Sequence, residues 1–437
     1  MINKIINAHL QRGEFNKALK ILENVIKNGN QNIFIFFCLG KIHFELNNFK
    51  KSIFYYRKCN QIQPDSPKVL YNLALVFQGL GRISEAEKLF NKLIKINPND
   101  VRSYYGLFNL SIDNITLNYK QKLKDLLNNE KTSLYEKSLI NFIFSKLKKK
   151  EKKIKEEIEF LNSSHELCFQ SNYNYNTQSK FYYSKIISSH YNKIKYEGQS
   201  KTNIDFRNLQ PLFIIGLPRS GSTLVESLIS QSSDQIHSFG EFHAINMSIF
   251  DQIASVIYSG NFNYKDFQFV INKEAFQNSL FERYGTIKNK IFIDKSLENF
   301  FNIDIILKFF PNAKFLHTYR NFNESIIGIY QRMMPDLSWS HNIKNILEYA
   351  NNYKTIINYF KKKYPKHIMD VSLEKLTLDK KNESQKIFEF CNIDWNNDVL
   401  NFNKKNNLFT KTNSFLQIRQ KIIRYNNKYE SYYHLIK

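Results

Sequence analysis

Small and apolar positions in the first hundred residues return every 34 places. Ala18, Ser52 and Ala86 are spaced this way, as are Leu39 and Leu73, Gly40 and Ala74, and Pro64 and Pro98. Two antiparallel helices need small residues where their axes approach, and a proline stops the second helix of a pair. Gly13, Asn47-Asn48 and Gly81 fall where the chain must turn inside each pair. The pattern predicts three helix pairs over about residues 1–100, a degenerate fourth from Val101, and a helical connector through Tyr119 to Leu161.

From Pro211 the rhythm changes. Leu212-Phe213-Ile214-Ile215 is a short apolar run ending in Gly216, and Leu224, Val225, Leu228 and Ile229 behind it have helical spacing. Ile291-Phe292-Ile293, Lys314 to Tyr319 and His367 to Leu373 read as further strands. Helices are expected around Phe300 to Phe310, Asn323 to Arg332 and Glu383 to Cys391. Strands alternating with helices imply a mostly parallel sheet covered on both faces, with ligands at the carboxyl ends of the strands.

Composition narrows the class. The 437 residues are 42% hydrophobic and 15% aromatic with only 8 Pro and 13 Gly, which excludes a disordered or fibrous chain. The 63 Lys and Arg against 39 Asp and Glu give a formal charge of +24, suited to nucleic acid, anionic lipid or a polyanionic small molecule without choosing among them, although much of the excess is lysine on solvated helical faces. No nucleic-acid recognition motif accompanies the charge. Cys38, Cys59, Cys168 and Cys391 are scattered without zinc spacing, which fits a reduced compartment and calls for no metal. Asn3, Lys4, Asn7 and His9 interrupt the N-terminus, and no window of about 18 apolar residues occurs. A cytoplasmic protein without a transmembrane segment is expected.

The first strand runs into Gly216-Leu217-Pro218-Arg219-Ser220-Gly221-Ser222-Thr223, spaced like a phosphate-cradling loop whose amides and following helix N-terminus face an anion. Ser222 stands where a nucleoside triphosphatase carries its lysine, and Arg219 supplies a guanidinium inside the loop instead. A tight strand-to-helix turn without a ligand is the plainer alternative.

Two resemblances follow. The 34-residue period is similar to that of tetratricopeptide repeats. From Pro211 to the C-terminus the chain resembles the sulfotransferase family, in particular domains related to tyrosylprotein sulfotransferases, through the stretch Phe213 to Leu224, through Asp294-Lys295-Ser296-Leu297-Glu298-Asn299-Phe300, through Phe310 to Arg320, and through Ser414 to Gln420. The fold class expected is α plus α/β: tetratricopeptide-like repeats over 1–118, a helical connector over 119–205, and a P-loop-type α/β sulfotransferase domain with a mostly parallel sheet over 206–437.

The resemblance implies a metal-independent transferase that moves a sulfonate group from 3′-phosphoadenosine 5′-phosphosulfate (PAPS) to an acceptor hydroxyl. It places Pro218, Arg219, Ser220, Gly221, Ser222 and Thr223 on the 5′-phosphosulfate and Arg320 on the 3′-phosphate, a pairing that suits a bidentate guanidinium. The family follows that arginine with Asp-Pro and a serine; here Asn321-Phe322 and Gly328 stand in those places, with Ser325 one turn earlier and Arg332 a further candidate. Lys295 takes the position of the catalytic lysine that neutralises the leaving oxygen, with a structural salt bridge to Asp294 as its alternative role. Glu241 stands where the family has its base; its alternative is a helix cap, and His237 and His243 flank it. Ser414 to Gln420 is similar to the C-terminal donor-binding segment, which puts Ser414 on the donor near the bridging oxygen, with Arg419 and Lys428 as added positive charge; Leu373 replaces a usual tyrosine.

The acceptor stays open among a peptide tyrosine, a glycan, a lipid-linked saccharide and a small alcohol, and the repeats would offer it, or a protein partner, a concave surface. Two rival readings remain: a P-loop kinase or nucleoside triphosphatase, and a non-catalytic scaffold whose second domain has decayed.

Overall fold

The computed structural model describes residues 2–436 except 30, 200–205, 234, 258–266, 286, 288, 405–408 and 412–414. Antiparallel helix pairs open the chain: Ile2–Gln11 with Phe15–Lys27, Ile33–Glu45 with Phe49–Ile62, Pro67–Gly79 with Ile83–Ile96, and Val101–Leu110 with Leu117–Asn128. The turn inside each of the first three pairs has a left-handed residue at the same place in the period, Gly13, Asn47 and Gly81, with φ of 67°, 58° and 72°. Ala18, Ser52 and Ala86 are fully buried, and the Ser52 hydroxyl donates to the Gly40 carbonyl at 2.8 Å across the closest helix contact. The period predicted from small residues is therefore the period of close approach.

Two longer helices, Leu134–Lys150 and Ile154–Ser171, and the shorter Tyr173–Phe181 continue the stack. Seven strands follow among the described residues: β1 (Lys195–Glu197), β2 (Gln210–Gly216), β3 (His237–Ser238), β4 (Val270–Asn272), β5 (Ile291–Asp294), β6 (Lys314–Tyr319) and β7 (Ile368–Ser372). β1 and β4 form a small parallel pair, and the other five form a parallel sheet in the order β3-β5-β2-β6-β7. On β2 the alternation is plain: Phe213 and Ile215 enter the larger core, while Leu212 and Ile214 enter a second core under the helices Ser222–Ser230 and Lys380–Cys391.

The larger core runs without a break from Ile6 and Leu22, through the helices of the repeats, to Phe213 and Phe315 on the sheet. Repeats and sheet are thus packed against each other. The C-terminal segment ties them further: the Arg419 guanidinium donates to the Gly79 carbonyl at 2.8 Å, and Lys411 Nζ donates to the Glu45 carbonyl at 2.8 Å and its carboxylate at 2.9 Å.

A side chain at Gly40 would put its Cβ 2.7 Å from the Tyr56 ring. Gly40→Ala is expected to destabilise the protein by about 1–3 kcal/mol through overpacking. A thermal melt beside the wild type measures this, and an unchanged melt would show that the helix pair has room it does not display.

Candidate active site

The sheet puts the ends of β2, β3, β5 and β6 along one edge, and most of the site hangs from them. Gly216 ends β2 at φ 144°, and a Cβ there would lie 2.3 Å from the Thr318 carbonyl on β6, so only glycine lets the strand turn this close to its neighbour. Arg219 is held in the left-handed region at φ 70°, a conformation that costs a non-glycine residue and is concentrated at functional loops. Ser220 is buried, and its hydroxyl shares a 2.7 Å hydrogen bond with the Thr318 hydroxyl, so it braces the loop from beneath. Helix Ser222–Ser230 begins with no side-chain cap, which leaves its first amides open to a ligand.

A cavity of about 700 Å³ opens beside this helix start. Gly221, Ser222 and Thr223 line it together with Arg219, Arg320, Arg332, Lys421, Arg424 and Lys428. Six cations thus face it, and no Asp or Glu does among the described residues. Burial and the neighbouring charges of Arg332 and Arg320 push the Arg219 guanidinium down to about 10, low for an arginine yet still charged at neutral pH.

Arg320 donates to the Tyr425 hydroxyl at 2.9 Å and to the Glu324 carbonyl, and its Nε is buried without a partner. It makes no ion pair among the described residues. Gly328 explains its pose: a Cβ there would lie 2.1 Å from Arg320 Nη2, so the place that holds serine in the resembling family is needed here for the guanidinium itself. Gly328 and Ser325 are not among the described residues lining the cavity. Ser325 is buried and its hydroxyl turns back to the Asn321 carbonyl at 3.1 Å, the ordinary choice of a serine inside a helix, so it does not stand in for the missing serine. Leu373 packs over Gly221. Arg419 spends its guanidinium on the Phe415 and Gly79 carbonyls, away from the cavity. Pro218 is half-buried in the loop, and Ser414 lies outside the described residues.

Behind the loop stands the second group. Lys295, at the end of β5, is 1% exposed; its Nζ lies 2.7 Å from Glu241 and 3.5 Å from Glu226. Burial would lower the lysine pKa, but the two carboxylates outweigh it and raise it. For Glu241 burial again opposes the charge, and Lys295 pulls the carboxyl below its ordinary value. Asp294 is not Lys295's partner: it is fully buried and accepts from the Ser296 amide at 2.8 Å and the Tyr284 hydroxyl at 2.6 Å. The Lys295 amide donates to the Gly240 carbonyl at 2.9 Å, which fixes Glu241 opposite it. His243 bonds Glu298 through Nδ1. Against the effect of burial, that carboxylate raises the imidazole to about 9, so His243 is a cation at neutral pH. His237 is exposed at the rim.

Glu226 escaped the sequence reading, although it stands one turn beyond Ser222 on the same helix face. So did Glu324, whose buried carboxylate accepts from the amides of Lys428 and Tyr429 at 3.0 and 2.9 Å and from the hydroxyls of Tyr425 and Tyr433 at 2.6 and 3.0 Å. It holds the C-terminal segment against the cavity.

Residues 211–397 match the model of the sulfotransferase family, and residues 43–107 that of a tetratricopeptide repeat. Residues 211–397 are a sulfotransferase-family domain. An uncharacterized protein of Aquifex aeolicus is 24% identical over 410 residues, 90% of this chain and 53% of its own length. The chain therefore spans about half the length of that curated relative. The protein CTR9 homolog of Arabidopsis thaliana is 28% identical over 116 residues, 26% of this chain and 11% of its own. A solved sulfotransferase domain from the curacin biosynthetic pathway aligns with 48% of this chain and 86% of its own at 15% identity, with a TM-score of 0.31.

The His243–Glu298 pair in the sulfotransferase domain has a pH signature. A histidine whose folded pKa is raised adds stability that is present below its unfolded value, about 6.5, and is lost as the pH rises through the folded one. The melting temperature is expected to fall between pH 6.5 and about 9, and His243→Gln should remove that part of the slope. An identical slope in the variant would mean that the pair is not formed.

Proposed function

We propose that this protein is a PAPS-dependent sulfotransferase acting on a hydroxyl acceptor, with the six-cation cavity as the donor site. The observation that carries the reading is that cavity beside an uncapped helix start, with no described carboxylate facing it. Cations crowded around a cavity whose described lining carries no carboxylate repel each other, and a ligand with phosphates at both ends relieves the cost. The buried, unpartnered Nε of Arg320 is a donor in wait of such an oxygen. Arg219 with the loop amides would hold the 5′ end. Arg320, Arg332 and Lys428 would hold the 3′-phosphate.

Bound PAPS supplies the sulfonate: an S–O bond forms to the acceptor oxygen, the S–O bond to the 5′-phosphate breaks, and the acceptor proton passes to a base. Glu241 is that base in this reading. His243, a cation at neutral pH, is badly placed to accept a proton. Lys295 has three N–H groups; two face Glu241 and Glu226, which leaves one for the leaving oxygen. An ammonium that shares its charge with the leaving oxygen draws less on Glu241, so the base strengthens as the donor binds.

The bisphosphate product, 3′-phosphoadenosine 5′-phosphate, is expected to raise the melting temperature in the absence of Mg²⁺, and Arg320→Ala should abolish the rise. Stabilisation by Mg-ATP alone would favour a nucleoside triphosphatase instead. Glu241→Gln and Lys295→Ala should each leave bisphosphate affinity near wild type and lower turnover by about 10²-fold or more. An acceptor hydroxyl of lower pKa should partly rescue Glu241→Gln and not Lys295→Ala. Equal rescue of both would remove the base assignment.

A further inference from the structure

A second cavity, of about 200 Å³, has the Lys295–Glu241 pair in its lining, and its walls come from both halves of the chain. Glu226, Glu241 and Lys295 line it together with Lys411 and with Asn47 and Phe49, which stand in the turn and at the following helix start of the second repeat. This turn is anchored to the sheet. The Asn47 side-chain amide donates to the Ser238 carbonyl on β3 at 2.8 Å, across 191 positions of sequence. Phe49 stacks on Phe409, and Lys411 reaches back to Glu45.

We infer that the repeat array is a working part of the acceptor site, with Asn47 and Phe49 as specificity-determining residues, and that the acceptor received there is a small neutral molecule with its hydroxyl on a single ring. This rests on the sulfotransferase reading and deepens it. The volume bears on the size: about 200 Å³ lies below the range of about 300–1,000 Å³ usual for drug-sized ligand pockets, which suits a single ring. The charge decides the class. Two carboxylates and two lysines line the cavity, Glu241 pairs with Lys295 and Glu45 with Lys411, and a ligand of either sign would have to break one of these pairs. Ser227 and Ser230 add hydrogen-bonding groups, and the stacked pair of Phe49 and Phe409 offers the apolar surface that such a ring needs on one side.

The position of Asn47 strengthens the argument. Its backbone is left-handed at φ 58°, a conformation open to asparagine and glycine. Glycine would keep the turn, as at Gly13 and Gly81 in the neighbouring repeats. Asparagine adds a side-chain bond that fastens the repeat to β3 beside Lys295 and Glu241.

The test uses the full chain, labelled PAPS and a panel of single acceptors: a simple phenol, a methyl glycoside, cyclohexanol, and an acidic tyrosine-containing peptide. Wild type is expected to sulfate the neutral single-ring acceptors in preference to the peptide. Phe49→Ala and Asn47→Gly should raise acceptor KM at least tenfold while bisphosphate affinity, measured by calorimetry on the same protein, stays within twofold of wild type. Asn47→Gly preserves the backbone, and Phe49→Trp serves as a variant that keeps the packing and narrows the cavity; it should shift preference toward the smallest acceptor. If all three variants keep the wild-type KM and acceptor ranking, the repeat turn is not part of the site. Preferential sulfation of the peptide overturns the acceptor class. Absence of transfer to any acceptor, in a wild type that also fails to bind the bisphosphate, overturns the sulfotransferase reading and this inference together; absence of transfer with the bisphosphate bound overturns this inference alone.

Discussion

A lysine ammonium buried to 1% exposure must be neutralised by carboxylates, because the cost of an unpaired charge away from water exceeds what packing returns. Much of the site follows from that constraint on Lys295. Glu226 reaches it from the helix after the loop and Glu241 from the end of β3, so three segments far apart in sequence converge on one nitrogen. The Ser238 hydroxyl donates to Glu226 at 2.6 Å, and the Gly240 carbonyl takes the Lys295 amide at 2.9 Å. The edge strand β3 is only two residues long, and this network is what it has in place of a long ladder. The same pairing that makes the lysine tolerable in the core keeps it charged, the state in which an ammonium can stabilise negative charge on an oxygen.

The other half of the site depends on the opposite arrangement. Cations are gathered around the 700 Å³ cavity without carboxylates among the described lining residues, and the carboxylate nearest in the chain, Glu324, is occupied by two amides and two tyrosine hydroxyls. A buried Glu324 that spends its hydrogen bonds on the C-terminal segment shapes the wall without discharging Arg320. The formal charge of +24 thus has a local meaning at this cavity that it lacks on the lysine-rich helical faces.

The repeat was legible because close helix contact demands small residues at a fixed period, and the same demand places a left-handed residue at 13, 47 and 81. The central strands were legible as apolar runs because a parallel sheet buries both faces. β1, β3 and β4 were not, since two or three residues carry no alternation. The helix Ile343–Lys363 was missed although Ile346, Tyr349, Ala350, Tyr353, Ile357 and Phe360 are buried at helical spacing. In the site, residues at strand ends were within reach: Arg219, Glu241, Lys295 and Arg320. Ser325 was misplaced because nothing in a sequence tells whether a helical serine bonds outward or back to its own turn. Asn47 and Phe49 were beyond reach because the packing of repeats on the sheet is a tertiary property with no local signal.

The most direct measurement follows radiolabelled PAPS through a single turnover in the presence of a metal chelator, counting label on the acceptor and free bisphosphate together. A site built on Lys295, Glu241 and the six-cation cavity should place one label on an acceptor hydroxyl for each bisphosphate released, unaffected by the chelator. Bisphosphate released with all the label left as free sulfate, or no release at all while the donor stays bound, would contradict it.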